Sequence, residues 1–243
     1  MHRLGNPLPE KHLLLCTQHA PQNVAARLAR IREPHVAALN EWAEATRTSR
    51  LIPAGSGPTI PWFDPESGGV NATMLFLLQD PSAVASGNRF ISAHNCDATA
   101  RNVSAACAEV GIEYAERCHW NVYPWWVNTD GSDQTRPKMS LQSAAPAAAA
   151  LMPGLLDLFP NLAVIIVAGV GTIKGFTLAE ENGLQVPPSV AIVELGSFSA
   201  LGGYSRHRNR LIARLAHAHS VARLPPEQRR AAIDRHWTRQ EGV

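Results

Sequence analysis

Charge of one sign is scarce in this chain. Lys and Arg number 22 against 20 Asp and Glu, a formal charge of +2. No global field therefore announces a nucleic-acid partner, and only a local basic patch could serve one. Cysteine is sparse too: the four, Cys16, Cys96, Cys107 and Cys118, stand far apart with no CxxC pair, which argues against a zinc ribbon and for reduced, structural thiols. Long apolar runs are missing. The N-terminal stretch MHRLGNPLPEKHLLLCTQHAPQN has only three adjacent leucines as its apolar centre, too short for a signal peptide. No later run reaches the ~20 apolar residues of a membrane span. The expectation is a cytoplasmic chain with no membrane partner, in which the glycosylation-like triplets at Asn71 and Asn102 are chance matches. No internal repeat is present, and the histidines, including His119, His217 and His219, show no metal-ligand spacing. Neither a metal nor another cofactor is expected.

What the chain does have is core-forming material. A hydrophobic content of 45% over 243 residues suffices for one large domain or two small ones. Residues 22–48 carry helical spacing at Val24, Leu28, Ile31, Val36, Leu39 and Trp42, broken at Pro34, and predict an N-terminal helical arm. The connector IPAGSGPTIPWFDPESGG is rich in turn residues. Strand and helix patterns then alternate. Strands are expected at 73–78, in RCHWNVYPWWV before Pro124, in LAVIIVAG and in SVAIVEL; helices are expected at Asp97 to Val110, in MSLQSAAPAAAALMPGLLDLF, in GTIKGFTLAEENG and in HRNRLIARLAHAH.

This order predicts an α/β fold: a mostly parallel four-stranded sheet with helices on both faces. The chain divides into a helical arm and connector at 1–55, an α/β domain at 56–222 and a charged tail at 223–243. In such sheets a ligand lies beyond the carboxyl ends of the strands. Here that rule selects the loops 79–95, 121–136, 169–174 and 195–208.

Three residues in these loops stand out. Asp80 ends a buried strand and precedes Pro81, which holds it extended; the alternative is an Asp capping a turn or the next helix. Asn121 ends the next strand and could equally be a turn residue, and Phe90 alone would read as core. Together they suit the excision of a base from DNA, which requires an extruded nucleotide, an aromatic to stack on it and a side chain to read its Watson–Crick edge. An amide held in one orientation reads uracil, donating to O4 and accepting from N3–H, and mismatches cytosine. A carboxylate can orient water and stabilise the sugar cation that forms as the bond breaks.

The segments PWFDPESGGVNATMLFLLQDP, RFISAHNCDATARN and WNVYPWWV resemble the uracil-DNA glycosylase superfamily, in an order and spacing covering about residues 60–210. The resemblance implies a single-domain three-layer α/β/α sandwich and hydrolytic removal of uracil from DNA by a monomer without cofactor. It implies that Gln79, Asp80 and Pro81 form the first motif, that Phe90 stacks on the base and that Asn121 reads it. Two departures stand out. Ser82 occupies the place of a Tyr that blocks the thymine methyl, and Leu195-Gly196-Ser197 replaces the His-Pro-Ser triplet whose His supports charge on uracil O2. Ser197, loop backbone or the displaced His207 is expected to substitute. In the same loop Phe198, Leu201 and Tyr204 are candidates to wedge into DNA, while Arg206 and Arg208, with His207 between them, are candidates for phosphate contacts.

No lysine nucleophile is placed in the proposed pocket, so strand cleavage is not expected. A cluster on cysteines is also not expected, since Cys16 stands alone near the N-terminus. Two other readings remain open: a relative that binds uracil or abasic DNA without turnover, and a dinucleotide-binding enzyme using Gly169 and Gly171 with Glu194 ending the next strand.

Overall fold

Proline opens both helices of the N-terminal arm, where its missing N–H costs nothing and its fixed φ suits the first turn. Helix α1 is Pro21–Leu28 and α2 is Pro34–Arg47. The structure, a computed structural model, describes residues 14–15, 20–129, 131, 138–199, 201 and 203–236. Cys16, positions 130 and 132–136 of the second expected loop with 137 just after it, positions 200 and 202 of the fourth and the end of the tail at 237–243 lie outside the described residues. Beyond the connector come β1 (Trp62–Phe63), β2 (Met74–Leu78), α3 (Ala83–Asn88), β3 (Phe90–Ile91), α4 (Ala98–Val110), β4 (Arg117–Asn121), α5 (Leu141–Leu156), β5 (Val164–Ala168), α6 (Val170–Glu181), β6 (Ala191–Leu195), α7 (Tyr204–Ala222) and α8 (Pro226–Arg229). Helix starts follow capping chemistry: Asp97 accepts from the Ala100 N–H at 2.9 Å, and Ser140 from the Ser143 N–H at 3.1 Å.

The main sheet is parallel throughout, in the order β4-β2-β5-β6. Its strands are buried on both faces, which is why β2 and β5 read as continuous apolar runs and β6 nearly so, while β4 carries Arg117, His119 and Asn121. Alternate side chains serve two cores. Leu75, Leu77, Cys118, Trp120, Ile165 and Val167 pack towards α2, α5 and α6, and Met74, Phe76, Val164, Ile166, Val193 and Leu195 towards α4 and α7. Strands β1 and β3 form a separate two-stranded parallel sheet. Neither pair of residues is long enough to show a period, so these strands and α3 are absent from the sequence expectation.

The arm and the tail both join this framework. Asn40 on α2 is fully buried; its carbonyl accepts from the Phe63 N–H at 2.8 Å and its amide donates to Ile31 O at 2.9 Å. Trp42 meets Trp120 edge-on, and Trp120 stacks on Phe63 at 3.8 Å between centroids. Arg27 on α1 ion-pairs with buried Asp64, which also accepts from Ser92 and, at 2.9 Å, from the Tyr114 hydroxyl. Gly68 and Gly69 thread between the start of α2 and the turn before β4, where a Cβ on Gly69 would stand 1.9 Å from His35 O and one on Gly68 2.1 Å from Ala115 O. At the other terminus the tail follows β6. Arg230 donates to Val190 O at 3.0 Å, and the Glu194 N–H donates to Arg235 O at 2.8 Å. Among the described residues no helix is long and apolar enough to cross a membrane.

Candidate functional site

A cavity of about 360 Å³ opens where the four strands of the main sheet end, and residues from all four expected loops line it. The register explains the convergence. Leu78 pairs with Asn121 and Ala168 with Leu195, so the strands finish nearly level and their following loops face one another. Past the ladder the chain after β4 keeps pairing with the chain after β2, the Val122 N–H donating to Leu78 O at 2.8 Å and the Tyr123 N–H to Gln79 O at 2.9 Å. This pairing folds the next turn back until the Val127 N–H donates to Asp80 Oδ2 at 2.8 Å.

Asp80 is therefore a fixed acceptor. Its other oxygen accepts from Gln79 Nε2 at 3.1 Å. Burial pushes the carboxyl up to about 6, against the opposing pull of the Val127 and Gln79 donors. The group is ionised at neutral pH and within easy reach of protonation, which suits proton acceptance from water. The neighbouring Tyr123 hydroxyl, pushed up to about 12 by burial and by Asp80, keeps its proton and donates to Leu141 O at 3.0 Å.

Asn121 ends β4 behind the anchored Trp120 and is 1% exposed. Its Nδ2 is buried and has no hydrogen-bond partner, although the residue lines the cavity. Buried polar groups are nearly always satisfied; among the described residues Trp62 Nε1, Arg117 Nε, Trp120 Nε1, Trp125 Nε1 and the Tyr204 hydroxyl share this condition, and of these six groups only Asn121 belongs to a residue that lines the cavity. It is a donor with no acceptor, in a residue of the cavity wall.

The other expected residues separate into two groups. Gln79, Ser82 and Ser197 line the cavity with Asp80 and Asn121. Ser82 is also the cap of α3, accepting from the Ala85 N–H at 3.2 Å. Ser197 Oγ lies 2.9 Å from Ser199 Oγ and accepts from the Ser199 N–H at 3.1 Å. Phe90 does not join them. Its ring is fully buried in an apolar cluster with Leu15, Val24 and Trp62. The stacking role expected of Phe90 is thus corrected: side chains alternate along a strand, and it is the next residue, Ile91, that faces the cavity.

The wedge expectation is corrected in part. Phe198 is 1% and Tyr204 6% exposed, and both belong to the core under α4 and α7, with Phe198 O accepting from Asn102 Nδ2 at 2.7 Å. Only Leu201 is fully exposed. Arg208 ion-pairs with Glu109 across to α4, Arg206 is exposed, and His207 is half-buried beside Gly203.

Two features of the site lie outside the sequence expectation: His119, which lines the cavity from inside β4, and the Asp64 network that braces Ser92 in its wall. A histidine inside a buried strand carries no local signal. The glycines after β5 admit side chains of this same site. A Cβ on Gly171 would lie 1.9 Å from Gln79 Oε1, and one on Gly175 would lie 2.8 Å from the Tyr123 ring. A scan against protein-family models finds no match, and a search of curated proteins returns none.

Proposed function

We propose that the chain is a monofunctional DNA glycosylase that hydrolyses the N-glycosidic bond of uracil in DNA, on a three-layer α/β/α framework like that of the uracil-DNA glycosylase superfamily its motifs resemble. The observation that carries this reading is the unpartnered Asn121 amide facing the same cavity as Asp80. The cavity volume, about 360 Å³, lies within the range of small-ligand sites. An extruded uracil enters with its Watson–Crick edge towards Asn121, whose N–H donates to O4 and whose carbonyl accepts from N3–H. Asp80 orients a water below the sugar and stabilises positive charge at C1′. As the C1′–N1 bond breaks, its electron pair leaves with the uracil, the water oxygen bonds to C1′, and the water proton passes to Asp80. Leu201, on the loop leading into α7, is the residue placed to fill the gap in the base stack.

The founding test is excision from a labelled oligonucleotide with one uracil, single- and double-stranded, with alkali revealing abasic sites. Uracil-dependent cleavage supports the reading. Binding of uracil or abasic DNA without cleavage would replace it with a binding protein. Replacing Asn121 by Asp swaps the donor for an acceptor opposed to O4. Uracil excision should fall about a hundredfold or more, and the preference for uracil over cytosine should narrow; unchanged selectivity would remove Asn121 from base reading.

A pH profile gives an independent check. Only ionised Asp80 accepts the proton, and its carboxyl lies at about 6. Single-turnover rates should hold a plateau above pH 7 and decline tenfold per unit as pH falls below about 6. A profile flat down to about pH 4 would exclude this role.

A further inference from the structure

Discrimination of uracil from cytosine needs a donor that cannot turn into an acceptor, and Asn121 alone does not supply one. Among the described residues no group holds its Nδ2, so no bond to that atom fixes which end of the amide meets the base. The residue two positions back on the same face of β4 is built differently. His119 is 6% exposed and lines the cavity. Its ring is stacked on Phe76 at 5.1 Å and 13°, and meets the Tyr114 ring edge-on at 5.7 Å. Its Nε2 lies 3.4 Å from Arg117 Nη1.

A guanidinium has five N–H donors and no acceptor. Facing it, Nε2 of His119 can only accept, so in the neutral ring the single proton sits on Nδ1. Burial, together with the charge of Arg117 and of His94 when protonated, holds the imidazole well below the usual histidine range, and the ring stays neutral. Among the described residues Nδ1 has no protein partner. The result is a donor whose polarity is locked by a buried cation behind it and whose plane is fixed by an aromatic beneath it.

We propose that His119 is the residue that makes the site specific for a carbonyl at the cavity floor, its Nδ1–H donating to O4 of uracil beside Asn121. The inference rests on the functional reading above. Successive same-face residues of a strand are about 6.6 Å apart, so His119 sits roughly one residue pair deeper than Asn121. A base held by its sugar at the cavity mouth points the atom opposite N1, which is C4, towards that floor. Uracil places an acceptor there and cytosine an amino group. The locked N–H meets the first with a hydrogen bond and the second with two opposed donors. Arg117 is then a positioning residue that acts through His119.

The test uses protein labelled with ¹⁵N-histidine, correlated through two-bond ¹H–¹⁵N couplings near neutral pH, before and after saturating uracil. His119 should appear as the Nδ1–H tautomer, and its Nδ1 resonance should move on uracil addition together with the Asn121 side-chain amide. An Nε2–H tautomer, or a static His119 signal while Asn121 responds, overturns the proposal and leaves the functional reading standing. Silence of both residues, with no excision by wild type, brings down the functional reading and this inference with it. In the excision assay, His119→Leu should lower uracil turnover about ten- to a hundredfold and raise any cytosine turnover, because the donor opposed to the cytosine amino group is gone. His119→Asn, which keeps a donor, should recover part of the loss. Equal loss in both variants with folding intact would mark His119 as a packing residue only.

Discussion

Replacing Asp80 by asparagine is expected to reduce uracil excision about 10³-fold and, at neutral pH, to make the protein more stable. The first effect follows from removing both the proton acceptor and the charge opposite the forming sugar cation, each of which typically contributes 10² or more. The second follows from linkage. The Asp80 carboxyl lies at about 6 in the folded protein against an ordinary 3.8, so folding favours its protonated form. Its contribution to stability is full below about pH 4 and is lost as pH rises through 6. Each unit corresponds to about 1.36 kcal/mol, and after discounting for the open side of the cavity an increase of roughly 1–2 kcal/mol is expected above pH 7 in the variant. Asparagine keeps the acceptor for the Val127 N–H without the desolvated charge. Urea midpoints near pH 7.5 and near pH 4 check the sign: the gap between variant and wild type should be open at the first and closed at the second. A variant equally destabilised at both would show that Asp80 is a structural anchor.

Gly69→Ala carries the largest expected cost to folding, on the order of 3–5 kcal/mol. The position has φ +55, and an added Cβ would stand 1.9 Å from His35 O and 2.7 Å from its carbonyl carbon. Backbone on the facing side cannot swing away as a flexible side chain would. Gly111→Ala is the matched control. Its φ is +78 with nothing within 4 Å of the added atom, so it should lose only the ~1–2 kcal/mol of left-handed strain. A drop of similar size in the two variants, measured by denaturant unfolding, would show that α2 slides freely over this glycine. The difference between them reports how tightly the arm is seated, and through Trp42, Phe63 and Trp120 that seating reaches the strand end that carries Asn121.

The parts of this molecule that were legible in its sequence are those that depend on near neighbours in the chain. Strands β2, β5 and β6 announce themselves as apolar runs because parallel strands are covered on both faces, and β4, RCHWN, shows less plainly, through Trp120 and the apolar residues that follow it before Pro124. Asp80 and Asn121 show as polar residues where such runs stop. Phe90 was misread because loop and two-residue strand look alike in sequence, and one step of the pleat separates the cavity from the cluster around Leu15. His119 was unreadable as a site residue for a different reason: its role is set by Arg117 behind it and Phe76 beneath it, and only Arg117 is near in sequence. The Arg27–Asp64 pair spans 37 residues, and no local pattern foretells it. Likewise the tail reads in sequence only as a charged segment, and nothing local foretells that Arg230 donates to backbone carbonyls more than 40 residues away.

That tail has a consequence for how the molecule behaves among its own copies. Strand β6 is the last in its sheet, and a terminal strand displays a row of unpaired amides and carbonyls that another chain can zip onto, the usual first step of sheet-to-sheet aggregation. The segment ending at His236 occupies that border, giving the Glu194 N–H a partner in Arg235 O and fastening itself through Arg235 to Glu180 and Glu194. It works as a selvedge on the fabric of the sheet, a segment with six charged residues between Arg223 and Arg235 lying along a border onto which a second copy would otherwise pair.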